Sequence, residues 1–241
     1  MHGVVVVDDA DARGNSGSLA GPVALEHVAN RPILHHVVDA LRDAGVEKLV
    51  VACSTEHAPE IADSLGQSEP PAGSQVRYVV RPAPLHLRDA LTLAAPIVGA
   101  EPCVVHVANG LLDEQIAPFI GQLSNAPDLT LMVHQSPLAG ERLSIATQRM
   151  LHLAELDPAR AGLGVAGAWL FGPGALQLVH GAELHAAAEV DLTSVGKRLG
   201  EAGGSIDVQL VTAWRRFDGD AEDLLELNRI ALDRLGTDPR R

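Results

Sequence analysis

The 241-residue sequence has only two cysteines, and both lie inside apolar runs. Cys53 and Cys103 therefore fit small buried thiols better than a disulfide or a zinc site. No apolar run approaches the roughly 18 residues of a membrane-spanning helix, and Met1-His2-Gly3 leads directly into a strand pattern without a signal peptide. We expect a cytoplasmic protein in a reducing setting.

Positive charge is also scarce. The chain has 18 lysines and arginines against 31 aspartates and glutamates, a formal net charge of −13, and its basic residues are dispersed. This balance argues against a nucleic-acid or anionic-membrane partner and favours proteins or small molecules. With 46% hydrophobic residues, the chain is long enough for one substantial core, and we predict a single domain over residues 1–241.

Short apolar runs alternate with segments of helical period along the first half of the chain. A strand followed by a helix, four times over, predicts an α/β fold, a Rossmann-like three-layer α/β/α sandwich with a mainly parallel, mixed central sheet. The predicted strands are Gly3–Val7, Lys48–Cys53, Gln75–Val80, Pro102–Val107 and Leu129–His134, and the predicted helices are Pro32–Gly45, Ala58–Leu65, Leu85–Val98 and Asp113–Leu123.

The second half is less regular but continues the mixture of strands and helices. Its last segment has leucines and isoleucine on one face, typical of an amphipathic helix. The predicted strands here are Met150–Glu155, Gly164–Phe171 and Ile206–Ala213, and the predicted helices are Gly174–His180, Leu192–Ala202 and Asp220–Leu235.

Five phrases, spread in order from end to end, carry a family resemblance. They are Val28–Leu34, Asp39–Val46, Arg81–Leu85, Gly167–Phe171 and Glu222–Arg229. Together with the order of elements, they make the chain resemble the sugar-phosphate nucleotidyltransferases, the family of glucose-1-phosphate thymidylyltransferase and its guanylyl and adenylyl relatives. The resemblance implies the nucleotide-diphospho-sugar transferase type of fold. It also implies a reaction in which a sugar 1-phosphate attacks the α-phosphate of a nucleoside triphosphate and expels pyrophosphate.

The family's phosphate loop is rewritten in this chain. Its pattern Gly-Gly-x-Gly-Thr-Arg aligns with Asp8, Asp9, Ala10, Asp11, Ala12 and Arg13, so only the arginine is kept. Three carboxylates would repel a triphosphate where glycines normally expose backbone amides. The family's phosphate-stabilising lysine, which precedes its first long helix, aligns with Val23.

The family's two magnesium-binding aspartates are also replaced. They align with Asn109 and Phe217. An amide oxygen coordinates magnesium weakly and cannot neutralise it, and a phenyl ring offers no ligand atom. Asp218, one residue further on, would be a shifted ligand if the register moved by one.

The base and sugar contacts differ as well. The base-reading glutamine aligns with Arg81, and a small glycine beside the base aligns with His86. Glu155 preserves a sugar-site glutamate, whereas Leu156 replaces the lysine that holds the sugar phosphate. So many joint losses favour a catalytically inactive member with a binding, regulatory or scaffolding role.

The remaining candidates for contact with a small-molecule ligand, a nucleotide or a sugar phosphate, are Arg13, Arg81, His86, Asn109 and Glu155. No cofactor is expected in this interpretation. The family further implies an oligomer, either of identical chains or with an active relative.

Two alternative functions stay open. Asp8, Asp9, Asp11 or Asp218 would rebuild a Mg²⁺ site in a divergent active enzyme, or the pocket would serve a glycosyltransferase-like protein with an altered ligand.

His35 and His36 are adjacent on a helix and point about 100° apart, which disfavours joint chelation of a metal. Arg215 and Arg216 would face a phosphate or form surface ion pairs.

Overall fold

The computed structural model describes residues 1–7, 21–66, 75–82, 84–121, 128–135, 163–180, 199–201 and 203–237. The strands are β1 (His2–Val6), β2 (His27–Val28), β3 (Arg31–Pro32), β4 (Lys48–Ser54), β5 (Gln75–Arg81), β6 (Cys103–Val107), β7 (Gly110–Leu112), β8 (Leu129–Gln135), β9 (Leu163–Phe171), β10 (Ile206–Leu210) and β11 (Trp214–Arg216). The helices are α1 (Ile33–Asp43), α2 (Ala58–Gly66), α3 (Leu87–Val98), α4 (Ala117–Ile120), α5 (Ala175–His180) and α6 (Ala221–Thr237).

In the described part of the chain, seven strands form the main sheet in the order β10-β8-β9-β6-β1-β4-β5. The β1, β4, β5 and β6 strands run parallel to one another, and β10 is parallel to β8. The β9 strand lies between β6 and β8 and is antiparallel to both. The predicted mixed, mainly parallel sheet is therefore confirmed.

Each face of the sheet carries its own apolar core. On one face, β1, β4, β6 and β9 pack against α1, α2 and α6, and on the other they pack against α3 and α5. Because β1 and β6 are covered on both sides, every residue of His2–Val6 and Cys103–Val107 is buried, which explains their unbroken apolar pattern. No helix in the described ranges is long and apolar enough to cross a membrane.

The end of α1 follows from a glycine. Gly45 adopts a left-handed conformation with φ of +82°, and its N–H donates to the Arg42 carbonyl at 2.8 Å. Gly45 therefore ends the helix, since a residue with a Cβ atom has a steric cost in this conformation.

Two predicted elements differ in the structure, and two others lie wholly or partly outside the described residues. Ile206–Ala213 is not one strand, because the chain leaves the main sheet after Leu210 and the N–H of Thr212 donates to the Glu114 carboxylate at 2.8 Å. Of the helix predicted at Asp113–Leu123, the described residues 113–121 contain only the single turn of α4 as α-helix. Met150–Glu155 lies outside the described residues, and of Leu192–Ala202 only residues 199–201 are described, as helix.

A small sheet that sequence reasoning missed joins the middle of the chain to its end. The β7 and β11 strands pair antiparallel, with Gly110 opposite Arg216 and Leu112 opposite Trp214. The buried indole of Trp214 covers Gly167 of β9, and it also touches Gly110. A Cβ atom at Gly167 would overlap the indole, and one at Gly110 would overlap first the Arg215 carbonyl oxygen and then the indole, so both positions need glycine for close packing.

The C-terminal helix contacts this small sheet and a hairpin formed by β2 and β3. The Arg234 guanidinium donates to the carbonyl of Leu112, and at 3.2 Å to that of Glu114. The Asn228 amide oxygen accepts the N–H of Ala29 at 2.7 Å, in the hairpin turn. The α6 helix thus contacts both the hairpin before α1 and the segment that follows β6.

The contact between Gly167 and Trp214 provides a test of this packing. We expect Gly167→Ala to cost about 1–3 kcal/mol of unfolding free energy, because the added methyl group overpacks the core. The cost should fall towards zero in a Trp214→Leu background, where the indole is gone. Urea unfolding of the two single variants and the double variant measures this coupling.

Gly121→Ala is the matched control, since a Cβ atom there would be 3.7 Å from its nearest neighbour, the Pro118 carbonyl oxygen. It should change the unfolding free energy by less than about 0.5 kcal/mol. Equal costs at Gly121 and Gly167 would contradict the packing described here.

Candidate functional site

The carboxyl ends of the central strands meet at one edge of the main sheet. The Val7 N–H donates to the Ala52 carbonyl and the Ala108 N–H donates to the Val6 carbonyl, both at 2.8 Å. The ends of β1, β4 and β6 are therefore side by side, which is where ligands bind in open α/β sheets. Asp8, Asp9, Asp11 and Arg13 follow Val7 in sequence but lie outside the described residues, as does Glu155.

Asn109 and Phe217, the two positions aligned with metal-binding aspartates, are direct neighbours. The Phe217 N–H donates to the Asn109 carbonyl at 2.8 Å, which extends the pairing of β7 with β11 by one step. The Phe217 ring is 5% exposed and belongs to the apolar core, and Asn109 is also buried. The structure thus brings together two positions that are far apart in sequence, and neither of them offers a carboxylate.

Two neighbouring arginines, Arg215 and Arg216, pair with different carboxylates. The Arg215 guanidinium lies 2.5 Å from Asp223, whose side chain is 6% exposed. The Nε–H of Arg216 donates to Asp218 at 2.6 Å, and about half of each of these two side chains is exposed. The carboxylate of the first pair is buried at the start of α6, whereas both members of the second pair lie at the surface.

The start of α6 is capped by aspartates. The Asp220 carboxylate accepts the N–H of Asp223 at 2.7 Å, and the Asp223 carboxylate accepts the N–H of Asp218 at 2.8 Å. Negative charge in the first turn is favourable because that end of a helix carries unpaired N–H groups. The polypeptide from Asp218 to Asp223 is therefore held in one arrangement beside Phe217.

Val23, which aligns with the family's lysine, points into the apolar core. It starts a short 3-10 turn (Val23–Leu25), and both Val23 and Ala24 are buried. A lysine ammonium in this environment would lose its hydration, whereas the valine contributes apolar burial. Where the family has a lysine that faces the phosphates, this chain therefore has a valine that packs in the apolar core.

Arg81 and His86 lie on either side of the turn that leads into α3. The Arg81 guanidinium forms an ion pair with Asp89, whose side chain is 10% exposed, and Arg88 approaches the same carboxylate at 3.6 Å. The Asp89 carboxylate also accepts the His86 N–H at 3.4 Å, while the His86 residue itself is exposed. Arg81 thus balances a nearly buried charge at the start of α3.

His106 of β6 is buried beneath the same small sheet. Its Nδ1–H donates to the Val107 carbonyl at 2.8 Å, and its ring meets the Trp214 indole edge to face at 5.6 Å. Burial lowers the pKa of His106 to about 4, and the hydrogen bond to Val107 opposes this shift only in part. The side chain is a neutral, hydrogen-bonded core histidine, as its position in a strand predicts.

No group of three or more His, Cys, Asp or Glu side chains in the described ranges is arranged to hold a metal ion. His35 and His36 bond to different partners, since His35 Nε2 lies 2.9 Å from the Ser64 hydroxyl and His36 donates to the Val28 carbonyl at 2.8 Å. Asp218 has its carboxylate against Arg216.

Sequence reasoning missed three residues that organise this region: Asp89, Trp214 and Asp223. The two aspartates have a recognisable signal, since each is acidic and falls in the first turn of a helix. Trp214 has none, because its neighbours in space come from β6, β7 and β9, and spacing in the sequence does not reveal them.

Comparison with known protein families gives a match over about half of the chain. Residues 20–138 match the family described as "Nucleotidyl transferase". This range contains Val23, Arg81, His86 and Asn109, and it begins after the acidic segment Asp8–Arg13.

Two curated relatives align over nearly the whole chain. The low-salt glycan biosynthesis nucleotidyltransferase Agl11 of Haloferax volcanii is 26% identical over 97% of this chain, and a glucose-1-phosphate thymidylyltransferase of Streptomyces griseus is 25% identical over 94%. The chain spans 66% of the length of each of these relatives.

Solved structures share the fold. A Bacillus anthracis protein assigned as a glucose-1-phosphate thymidylyltransferase, in complex with sucrose, superposes with a TM-score of 0.78 at 17% identity, covering 96% of this chain and 95% of that one. HddC from Yersinia pseudotuberculosis, in complex with GMP-PN, gives a TM-score of 0.66 at 16% identity, covering 95% and 98%. At these identities the similarity concerns the fold.

The buried pair of Arg215 with Asp223 and the exposed pair of Arg216 with Asp218 allow a matched comparison. We expect Asp223→Ala to lower the unfolding free energy by about 3–5 kcal/mol, because a largely buried arginine loses its partner and the Asp218 N–H loses its acceptor. Asp218→Ala should cost less than about 1 kcal/mol. Thermal or urea unfolding distinguishes the two, and similar costs would show that the burial of the first pair has no energetic consequence.

His106 gives an expected pH dependence. Its pKa in the folded protein is about 4, below the ordinary value of 6.5, so the unfolded chain binds the proton more readily. The contribution to stability is fully present above pH 6.5 and is lost as the pH falls towards 4, by about 3 kcal/mol in all.

Urea titrations between pH 7 and 4 test this dependence. The unfolding free energy of the wild-type protein should fall more steeply with decreasing pH than that of His106→Gln, which cannot be protonated at this position. His27→Gln, at an exposed position on the protein surface, is the control variant. Parallel pH profiles for wild type and His106→Gln would contradict the expectation.

Proposed function

This chain belongs to the sugar-phosphate nucleotidyltransferase family, and we propose that within it the protein is a catalytically inactive member with a binding, regulatory or scaffolding role. Its ligand is a nucleotide or a sugar phosphate, and it associates with itself or with an active relative. Mg²⁺ is not part of this function. The observation that carries the proposal is the pairing of Asn109 with Phe217.

The chemistry of the reaction explains why the residues at positions 109 and 217 matter for activity. Transfer of a nucleotidyl group needs positioning and neutralisation of the charge on the phosphates, which a metal ion held by carboxylates supplies. The resemblance assigns that role to two aspartates, and the aligned residues are a buried amide and a phenylalanine ring in the apolar core. Neither of these two side chains offers a negative charge to compensate a divalent cation for the loss of its water.

Other positions support the same conclusion. Val23, aligned with a phosphate-stabilising lysine, contributes to the apolar core instead. Arg81, aligned with a base-reading glutamine, balances the charge of Asp89. The range that matches the family begins at residue 20, beyond the segment Asp8–Arg13 in which three carboxylates replace the usual glycines. Each change removes a contact that the reaction needs, and together they leave the fold intact.

The first experiment measures turnover. Each nucleoside triphosphate is combined with Mg²⁺ and with glucose 1-phosphate or mannose 1-phosphate, and pyrophosphate release is followed. We expect release no faster than in the absence of protein. The glucose-1-phosphate thymidylyltransferase of Streptomyces griseus is assayed in parallel as a positive control.

Turnover by the wild-type chain would overturn the proposal. The divergent enzyme with a rebuilt metal site would then require that Asp8→Ala, Asp9→Ala, Asp11→Ala or Asp218→Ala reduces the rate. A thermal shift with nucleoside diphosphates and Mn²⁺, without pyrophosphate chemistry, would instead indicate the glycosyltransferase-like alternative.

A further inference from the structure

The two edge strands of the main sheet, β10 and β5, differ in how they are protected. On β10, the Val208 N–H donates to the Asp207 carboxylate at 2.8 Å, so a side chain of the strand itself occupies part of that edge. The β5 strand pairs with β4 over seven consecutive residues without a register shift. It has no proline, no lysine and no bulge, three features that commonly keep an edge strand from pairing further.

Three residues of β5 direct their backbone groups away from β4. The first and last residues of the strand, Gln75 and Arg81, bond to the two residues that flank β4, as a donor at 3.0 Å and as an acceptor at 2.8 Å. Successive residues of a strand point their N–H and C=O groups to opposite sides. The groups that point to the open edge of the described sheet are therefore those of Val76, Tyr78 and Val80.

The two faces of β5 offer different side chains at this edge. Tyr78 and Val80 are in register with Val51 and Cys53 of the core that α2 helps to cover, but they lie further out and are 39% and 45% exposed. Arg77 lies on the opposite face of the sheet and is also exposed. One face of the edge is thus apolar, whereas the other carries a cation.

Arg77 is the arginine of β5 that is open to a partner. Arg81 is paired with Asp89, whereas no ion pair of Arg77 is found within the described ranges. In a chain of net charge −13, β5 contains no acidic residue. Antiparallel pairing with β5 of a second copy, centred on Tyr78, would place Arg77 diagonal to the two arginines of that copy, and this repulsion disfavours a second copy. An acidic strand would instead complement Arg77.

We propose that the open edge of β5 binds an extended segment of a partner protein in which aliphatic and acidic residues alternate. The aliphatic side chains pack on Tyr78 and Val80, and the carboxylates pair with Arg77. Main-chain hydrogen bonds supply affinity in such strand addition, and the alternating side chains supply specificity. The inference goes beyond the proposed function and does not depend on it, because β1 and β4 separate β5 from β6 and the pairing of Asn109 with Phe217.

The test is peptide binding to the full chain. The probe is a capped Val-Glu-Val-Glu-Val-Glu-Val peptide, which equals β5 in its length of 7 residues, and its control has lysine in place of each glutamate. At about 0.15 M salt, which screens overall charge, we expect a Kd of about 100 μM or tighter for the acidic peptide and at least about tenfold weaker binding of the control. No binding of the acidic peptide up to about 1 mM, or equal binding of both peptides, would overturn the inference.

A pair of variants at Val80 tests the backbone pairing. Val80→Pro removes an N–H that points to the open edge and leaves the bonds to β4 in place, so it should weaken binding by about tenfold or more. Val80→Thr keeps this N–H and the β-branched shape, and should change the affinity by less than about threefold. Equal affinities of the two variants would contradict strand addition.

Arg77→Glu changes an exposed side chain alone, so it keeps the test decisive if Val80→Pro does not fold. It should weaken binding of the acidic peptide by about tenfold or more and strengthen binding of the lysine peptide. Arg31→Glu is the matched control, since it makes the same change in net charge on β3, where Arg31 pairs with Asp39, and it should alter either affinity by less than about twofold. Equal effects of the two variants would mean that the peptide responds to overall charge, and the inference would fail.

A second copy of the chain is the competing occupant, and sedimentation of the wild-type protein and Val80→Pro distinguishes it. We expect both proteins to have the same oligomeric state. A wild-type dimer that Val80→Pro dissociates would show that β5 is an interface between identical chains, and would overturn the inference. Pyrophosphate release in the turnover assay bears on the proposed function alone.

Discussion

The pairing of β7 with β11 is the constraint on which the arrangement of the candidate site depends. It continues through the hydrogen bond from the Phe217 N–H to the Asn109 carbonyl, so the end of β6 and the beginning of α6 are held at one place. The Trp214 indole fixes the distance of this pair from β9, since glycines at 110 and 167 let it approach. A residue with a larger side chain at either glycine would separate the layers.

The charges around this junction are balanced within the protein. The Arg215 guanidinium compensates Asp223, and Arg81 compensates Asp89, and both carboxylates have little access to water. In an active site that binds a triphosphate, cations are instead available to the ligand and carboxylates to a metal ion. In the described part of this site, the arginines Arg81 and Arg215 instead pair with carboxylates at helix starts.

Much of the fold was predictable because burial leaves a direct trace in sequence. Gly3–Val7 and Lys48–Cys53 are apolar throughout since both faces of the sheet are covered, and Gly45 marks the end of α1 because a left-handed residue is needed there. The antiparallel direction of β9 left no such trace. A strand buried on both faces has the same composition whichever way it runs, and Trp214–Arg216 was too short to be distinguished from the end of the preceding strand.

The sequence by itself determined which chemical groups are present: the carboxylates of Asp8, Asp9 and Asp11, and an amide and a phenyl ring where the family has metal ligands. It also determined the family, because the order of motifs survives along the chain. Only the tertiary structure decided which groups meet. Asn109 and Phe217 are neighbours, Arg215 and Arg216 serve opposite sides of one strand, and Arg81 is committed to Asp89. The physical reason is that pairing across a sheet and burial of a partner depend on residues distant in sequence, and local spacing carries no record of them.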